Sequence, residues 1–163
     1  MTALARSGRL EIHVALSASQ VGEVGELFLE YAQSLGFSLC FQGFDQELAT
    51  LPGVYAPPAG RLLLATADGD VAGCVGLHAI DDGACEMKRL YVRPAFRGLR
   101  VGRQLTRAVI AEARAIGYRR IRLDTIAGKM DDAIRLYRTL GFNEIDPYRA
   151  NPIEGALYME LPL

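Results

Sequence analysis

Between Pro94 and Leu105 the sequence reads PAFRGLRVGRQL, which sets Arg97, Gly98, Arg100, Gly102 and Arg103 at the start of a helix. Behind them Leu105, Val109, Ala113 and Ile116 recur at helical spacing, so the pattern predicts a helix beginning near Val101. A helix N-terminus carries partial positive charge and exposed N–H donors, and it favours Asp or Glu over arginine. A phosphate-bearing ligand resolves the conflict. Backbone N–H groups can surround a phosphate oxygen, and glycine lets the ligand approach where a side chain would block it. Arginines at the rim supply charge and forked donors for further phosphates. The bland alternative is a pair of turn and packing glycines beside a solvated arginine face.

The charge distribution bears on this choice. Residues 86–122 hold eleven Lys and Arg against two acids, Glu86 and Glu112, so a net +9 segment sits in a net −10 remainder. Such asymmetry points to a local anionic partner rather than to a generally basic protein. A dinucleotide loop would need GxGxxG after an early parallel strand, whereas the spacing here is GxxxG. A Walker loop would need Gly-Lys-Ser/Thr, which is absent. Nucleic acid is not expected, since the basic run lacks interleaved aromatics and a reading motif.

The elements that must position this loop follow from pattern. LEIHVA (10–15) alternates as a strand, and Ser17 or Ser19 could cap the helix that follows, with Gly36 as its stop. A second, short helix is predicted near residues 45–51. Segments 61–67, 70–80 and 84–92 read as strands joined by Asp68-Gly69 and Asp81-Asp82-Gly83, which is hairpin chemistry and predicts an antiparallel meander. The helix from Val101 ends at Gly117, 121–125 is a strand, 131–140 a helix, and 142–145 and 156–161 the last strands. The expected order is β-α-α-β-β-β-α-β-α-β-β, in one α/β domain over residues 1–163.

Two stretches, together with this order, resemble the GNAT superfamily of acyl-CoA-dependent N-acyltransferases: EMKRLYVRP with RGLRVGR, and AIRLYRTLGF. The likeness runs from about residue 10 to 161. The family's loop is written Arg/Gln-x-x-Gly-x-Gly/Ala. Arg97 and Gly102 fill its ends, and Arg100 stands at the middle glycine. The second motif is Asn-x-x-Ala, then an aromatic and Gly-Phe. Ala133, Tyr137, Gly141 and Phe142 match it, and Met130 replaces the asparagine.

The resemblance implies a GNAT-like mixed sheet with splayed central strands, and acetyl-CoA as cosubstrate with no metal. It places the pyrophosphate on Arg97, Gly98, Leu99, Arg100, Val101, Gly102 and Arg103, and the pantetheine arm along Leu90, Tyr91 and Val92. Tyr137 matches the tyrosine that protonates the leaving thiolate. Glu86 is the leading base candidate, against a reading as an exposed strand-end charge, and His78 is the second, with an imidazole suited to the task. The acceptor site implied by the family is lined by the first two helices and the last hairpin, here Tyr31, Phe37, Phe41, Asp45, Tyr148 and Asn151. The expected reaction moves an acetyl group directly to a primary amine of a small molecule. A protein or peptide N-acetyltransferase and a non-catalytic acyl-CoA-binding regulatory module remain as alternatives.

Composition is compatible with this. Of 163 residues 50% are apolar, enough for one packed domain. Cys40, Cys74 and Cys85 are scattered, with neither CxxC nor a nearby histidine, and read as buried thiols of a reducing compartment. The first residues lack an apolar stretch suited to a signal peptide, and no run of about eighteen apolar residues occurs. A cytoplasmic protein without membrane association is therefore expected, and the sequence leaves room for a homodimer.

Overall fold

The computed structural model describes residues 9–40, 43–81 and 83–163, so Phe41 and Asp82 of the readings above lie outside the described residues. Strand β1 spans Leu10–Val14 and helix α1 spans Ala18–Ser34. Ser17 starts α1 through a capping box: Gln20 N–H donates to Ser17 Oγ (3.1 Å), and Ser17 N–H donates to Gln20 Oε1 (3.2 Å). Helix α2 is the short Phe44–Ala49. Strands β2 (Arg61–Ala67), β3 (Asp70–Asp81) and β4 (Ala84–Val92) form the antiparallel meander. Asp68 (φ 52°) and Gly69 (φ 85°) are both left-handed, as a tight turn between twisted strands requires.

Helix α3 (Val101–Ile116), β5 (Arg120–Ile126), α4 (Asp131–Thr139), β6 (Asn143–Ile145) and β7 (Ala156–Pro162) complete the order. Strand β6 is shorter than the pattern predicts. Phe142 turns into the core instead of pairing, with its N–H donating to Tyr137 O (3.0 Å). Single 3-10 turns at Gly53–Tyr55 and Pro94–Phe96 occupy stretches read as loop.

The seven strands lie in the order β1-β2-β3-β4-β5-β7-β6, and only β4 and β5 run parallel. Side-chain alternation gives the sheet two buried faces. Leu63, Val75, Met87, Ile121 and Leu123 pack under α3 through its Leu105 and Val109. Leu62, Leu64, Cys74 and Tyr91 pack under α1 through its Val24, Leu27 and Phe28. Each large side chain so buried contributes roughly 1.5–3 kcal/mol.

The central pairing stops early. Strands β4 and β5 are bonded only where Ala84–Glu86 meets Arg120–Arg122. Farther along, β4 bulges against β3, since the register passes from Gly76↔Lys88 to Cys74↔Tyr91, leaving Val75 opposite both Arg89 and Leu90. Arg89 takes the left-handed conformation (φ 62°) and is held there by Glu47, whose carboxylate accepts from Nε (2.9 Å) and Nη2 (3.3 Å). From Met87 onward the β4 backbone facing β5 has no strand partner, so it is open to a ligand.

Candidate active site

The Arg/Gly loop has the geometry of an anion cradle. Gly98 (φ 85°) and Arg100 (φ 60°) turn the chain into α3, and no side chain caps the helix. Gln104 N–H donates to Arg100 O (3.0 Å), whereas the N–H groups of residues 98–103 meet no acceptor among the described residues. Buried Val101 (2% exposed) pins the first turn to the core. Arg97 turns back, its Nε donating to Val92 O (3.2 Å), which brings a guanidinium to the end of β4.

Arg100 now has a physical description: it fills a left-handed position that glycine adopts without cost. Arg100→Gly is expected to gain about 0.5–1 kcal/mol, the strain relieved less the entropy of a freer unfolded chain, raising the melting midpoint by about 2 °C. An unchanged or lower midpoint in a thermal melt would show that the position is unstrained.

Between the splayed strands lies a cavity of about 380 Å³. Leu90, Tyr91, Val92 and Arg97 line it, as do Tyr31 and Asn151. Tyr137 reaches it from α4, beneath the face that carries α3, and its ring packs against Phe142 (centroids 5.6 Å apart). Burial raises the Tyr137 phenol above its ordinary value, with Tyr31 and Asp124 adding to this, so the hydroxyl stays protonated. Lys88 and Asp124 also line the cavity. Met87 and Leu123 face α3, so their neighbours Lys88 and Asp124 project to the opposite, α1-bearing face. Burial, with the Arg89 cation beside it, lowers the Lys88 ammonium to about 8. Phe37 and Met130 also line the space, Met130 accepting from Thr125 Oγ1 through its sulfur (3.3 Å).

Glu86 sits behind this cavity and has no exposed surface. Its Oε1 meets His78 Nε2 (3.0 Å) and lies 3.8 Å from Lys88 Nζ. Its Oε2 accepts from Tyr148 OH (2.6 Å) and contacts the Arg149 guanidinium. This corrects the alternative reading of Glu86 as an exposed strand-end charge. The carboxylate is the anchor of the loop between β6 and β7.

His78 lies in the same cluster, outside the cavity lining. Burial, aided by Lys88 and Arg149, lowers its imidazole to about 4, so it is neutral near pH 7. Its contact with Glu86 is therefore a hydrogen bond rather than an ion pair. Tyr148 belongs to the same cluster, packed edge-on against Tyr158 (5.2 Å), and does not line the cavity. Asp45 is exposed on α2, away from the cavity. Of the acceptor candidates among the described residues, Tyr31, Phe37 and Asn151 are brought to one space. Sequence reasoning missed Asp124, which accepts from Asn151 Nδ2 (3.2 Å), and Lys88 and Lys129 as cavity cations. The one available signal was strand alternation from buried Leu123 and Met87.

A sheet opened between two parallel strands, with free helix-start N–H groups on the α3 side, is the architecture of an acyl-CoA-dependent acyltransferase. The acetyltransferase (GNAT) family matches residues 26–142. An N-acetyltransferase of Schizosaccharomyces pombe is 42% identical over 139 residues, covering 84% of this chain and 85% of the relative. A protein of Azospirillum brasilense named IAA acetyltransferase is 40% identical over 113 residues, 66% of this chain and 71% of its own. A Salmonella typhimurium acetyltransferase solved with its cofactor acetyl-CoA superposes with a TM-score of 0.66 at 20% identity, over 94% of this chain and 93% of that one. The chain belongs to the GNAT acetyltransferase family. Its activity class is acetyl-CoA-dependent N-acetyl transfer. Among the described residues no helix is long and apolar enough to cross a membrane, and no three His, Cys, Asp or Glu side chains group to hold a metal.

Proposed function

We propose that this enzyme moves an acetyl group from acetyl-CoA directly to a primary amine of a small molecule. The observation that carries the reading is the continuity of one cleft. Unpaired β4 backbone, Arg97 and charged side chains line it, and the loop that follows Arg97 leaves six N–H groups without an acceptor among the described residues, suited to pyrophosphate. A partly open cleft of about 380 Å³ suits a small acceptor.

In this reading the loop 97–103 holds the pyrophosphate, and the β4 backbone at Leu90–Val92 pairs with the pantetheine arm. One N–H of that stretch polarises the thioester carbonyl, a contact type worth roughly 3 kcal/mol. The acceptor ammonium first loses a proton. Its nitrogen then bonds to the carbonyl carbon and the C–S bond breaks. Tyr137 gives its proton to the departing sulfur, and the proton shed by the new amide nitrogen restores the phenol. Amide, thiol and one released proton balance the ammonium and thioester consumed. No cysteine takes part: Cys74 and Cys85 are buried, with burial raising both thiols, so neither is a thiolate near neutral pH, and Cys40, exposed rather than buried as the sequence suggested, does not line the cavity.

The test is incubation with acetyl-CoA and a panel of amines while free thiol is read continuously. Thiol release that depends on a small amine, matched by N-acetyl product, is the expected result. Acetyl-CoA binding with no amine accelerating release would overturn it. Arg100→Glu is further expected to weaken acetyl-CoA binding about tenfold, by setting an anion beside the phosphates. Equal affinity in calorimetry would place residue 100 outside the phosphate site.

A further inference from the structure

The acceptor face of the cleft carries an uneven set of charges. Lys88 from β4 and Asp124 from β5 project to the same face across the gap, and Lys129 stands at the mouth with its ammonium 5.1 Å from the Phe37 ring centre. The Lys88 side chain is only 7% exposed, and no hydrogen-bond acceptor meets its ammonium among the described residues. The nearest carboxylate oxygen, Glu86 Oε1 at 3.8 Å, already engages His78, and the other Glu86 oxygen is taken by Tyr148 and Arg149. Asp124 accepts from Asn151 and forms no ion pair among the described residues. Arg89 is a spent charge, paired twice with Glu47.

An ammonium that lines the cavity from a largely buried side chain, with its donors unused, favours an anionic group in that space. A simple alkylamine or polyamine would worsen matters. It would bring further positive charge beside Lys88 and Lys129, against the single cavity carboxylate of Asp124. An acceptor that adds its own carboxylate matches both the cations and Asp124. A peptide N-terminus does not, because its nearest carboxyl group is an amide.

We propose that the acceptor is a small primary amine that also bears a carboxylate, a compound of the amino-acid class, held with its amine at Asp124 and its carboxylate at Lys88. This deepens the N-acetyl transfer reading and rests on it. Lys129 draws the carboxylate in at the mouth. Asp124 takes the proton that the ammonium must lose and returns it to solvent, which leaves the nitrogen lone pair free to attack the thioester carbon.

The experiment compares the common α-amino acids with their C-terminal amides and with spermidine, reading thiol release at saturating acetyl-CoA. At least one free acid is expected to exceed its own amide about tenfold in kcat/KM, the worth of a charge-assisted hydrogen bond. In Lys88→Met that acid-to-amide ratio should fall to near one. Glu86 keeps Arg149, Tyr148 and His78 when Lys88 is replaced, so the fold is expected to hold, and a thermal melt of the variant checks this. Lys129→Gln, at an exposed position, should lower the ratio about threefold as a mouth charge is lost. Asp124→Asn should lower kcat about tenfold on acid and amide alike, as a lost proton acceptor would.

Amides or spermidine turning over as well as the acids, or a ratio that survives Lys88→Met, would overturn the assignment while leaving N-acetyl transfer standing. Absence of turnover on every amine, with acetyl-CoA bound, would remove both.

Discussion

Replacing Glu86 with alanine is expected to lower the melting midpoint by about 10 °C and to raise the acceptor KM, while the acetyl-CoA KM stays near its parental value. Glu86 is fully buried, and its two oxygens join β3, β4 and the β6–β7 loop through His78, Lys88, Tyr148 and Arg149. Removing the carboxylate leaves the enclosed cations without a counter-charge, which costs roughly 3–5 kcal/mol. Asn151, two residues beyond Arg149, holds Asp124 at the cavity, so freeing the loop disturbs acceptor binding first. The phosphate cradle lies on the α3 side and does not touch this cluster. Glu86→Gln should fall between the two, because an amide still accepts from Tyr148 but carries no charge for Arg149. A loss confined to kcat, with an unaltered midpoint and a displaced acidic limb of the pH–rate curve, would instead assign the base role to Glu86.

The cradle was legible because its chemistry is local. Gly98, Arg100 and Gly102 are neighbours in the chain, and the turn they make is encoded within a few residues of the helix start. Strands β2 and β4 were legible for a related reason: each is bounded by turn residues and has a full buried face. The family resemblance added the splay, which no periodicity contains, since β4 and β5 become neighbours only through the crossover of α3.

The acceptor face was legible only in part. Alternation assigns Lys88 and Asp124 to a face of their own strands, yet their meeting depends on sheet order, on the bulge at Arg89 and on the gap beyond Glu86. Glu86 shows the converse difficulty. A glutamate near a strand start reads as solvated, because its partners Tyr148 and Arg149 lie some sixty residues away in a turn-rich loop. Asp45, exposed on the short α2, shows that membership of an acceptor-lining helix does not fix which side chain reaches the cavity.

Tyr137→Phe should lower kcat roughly 100-fold, at the low end for a positioned acid, with the acetyl-CoA KM held within about twofold. The ring is what the fold uses. Tyr137 is 6% exposed in the α3-side core and packs on Phe142, so phenylalanine preserves the packing and the melting midpoint. No side chain or backbone group among the described residues hydrogen-bonds the hydroxyl, which lines the cavity, so its removal orphans no donor or acceptor there. What is lost is the hydrogen bond and proton offered to the sulfur as the C–S bond breaks, an interaction made in the transition state and absent from bound thioester. Tyr137→Leu separates this role from packing, because it removes the ring as well and should lower the midpoint along with turnover. Should Tyr137→Phe turn over at the parental rate, the departing thiolate takes its proton from water at the cavity mouth and Tyr137 is a wall residue. The split between kcat and KM, measured on the same thiol-release trace as the acceptor series, decides between them.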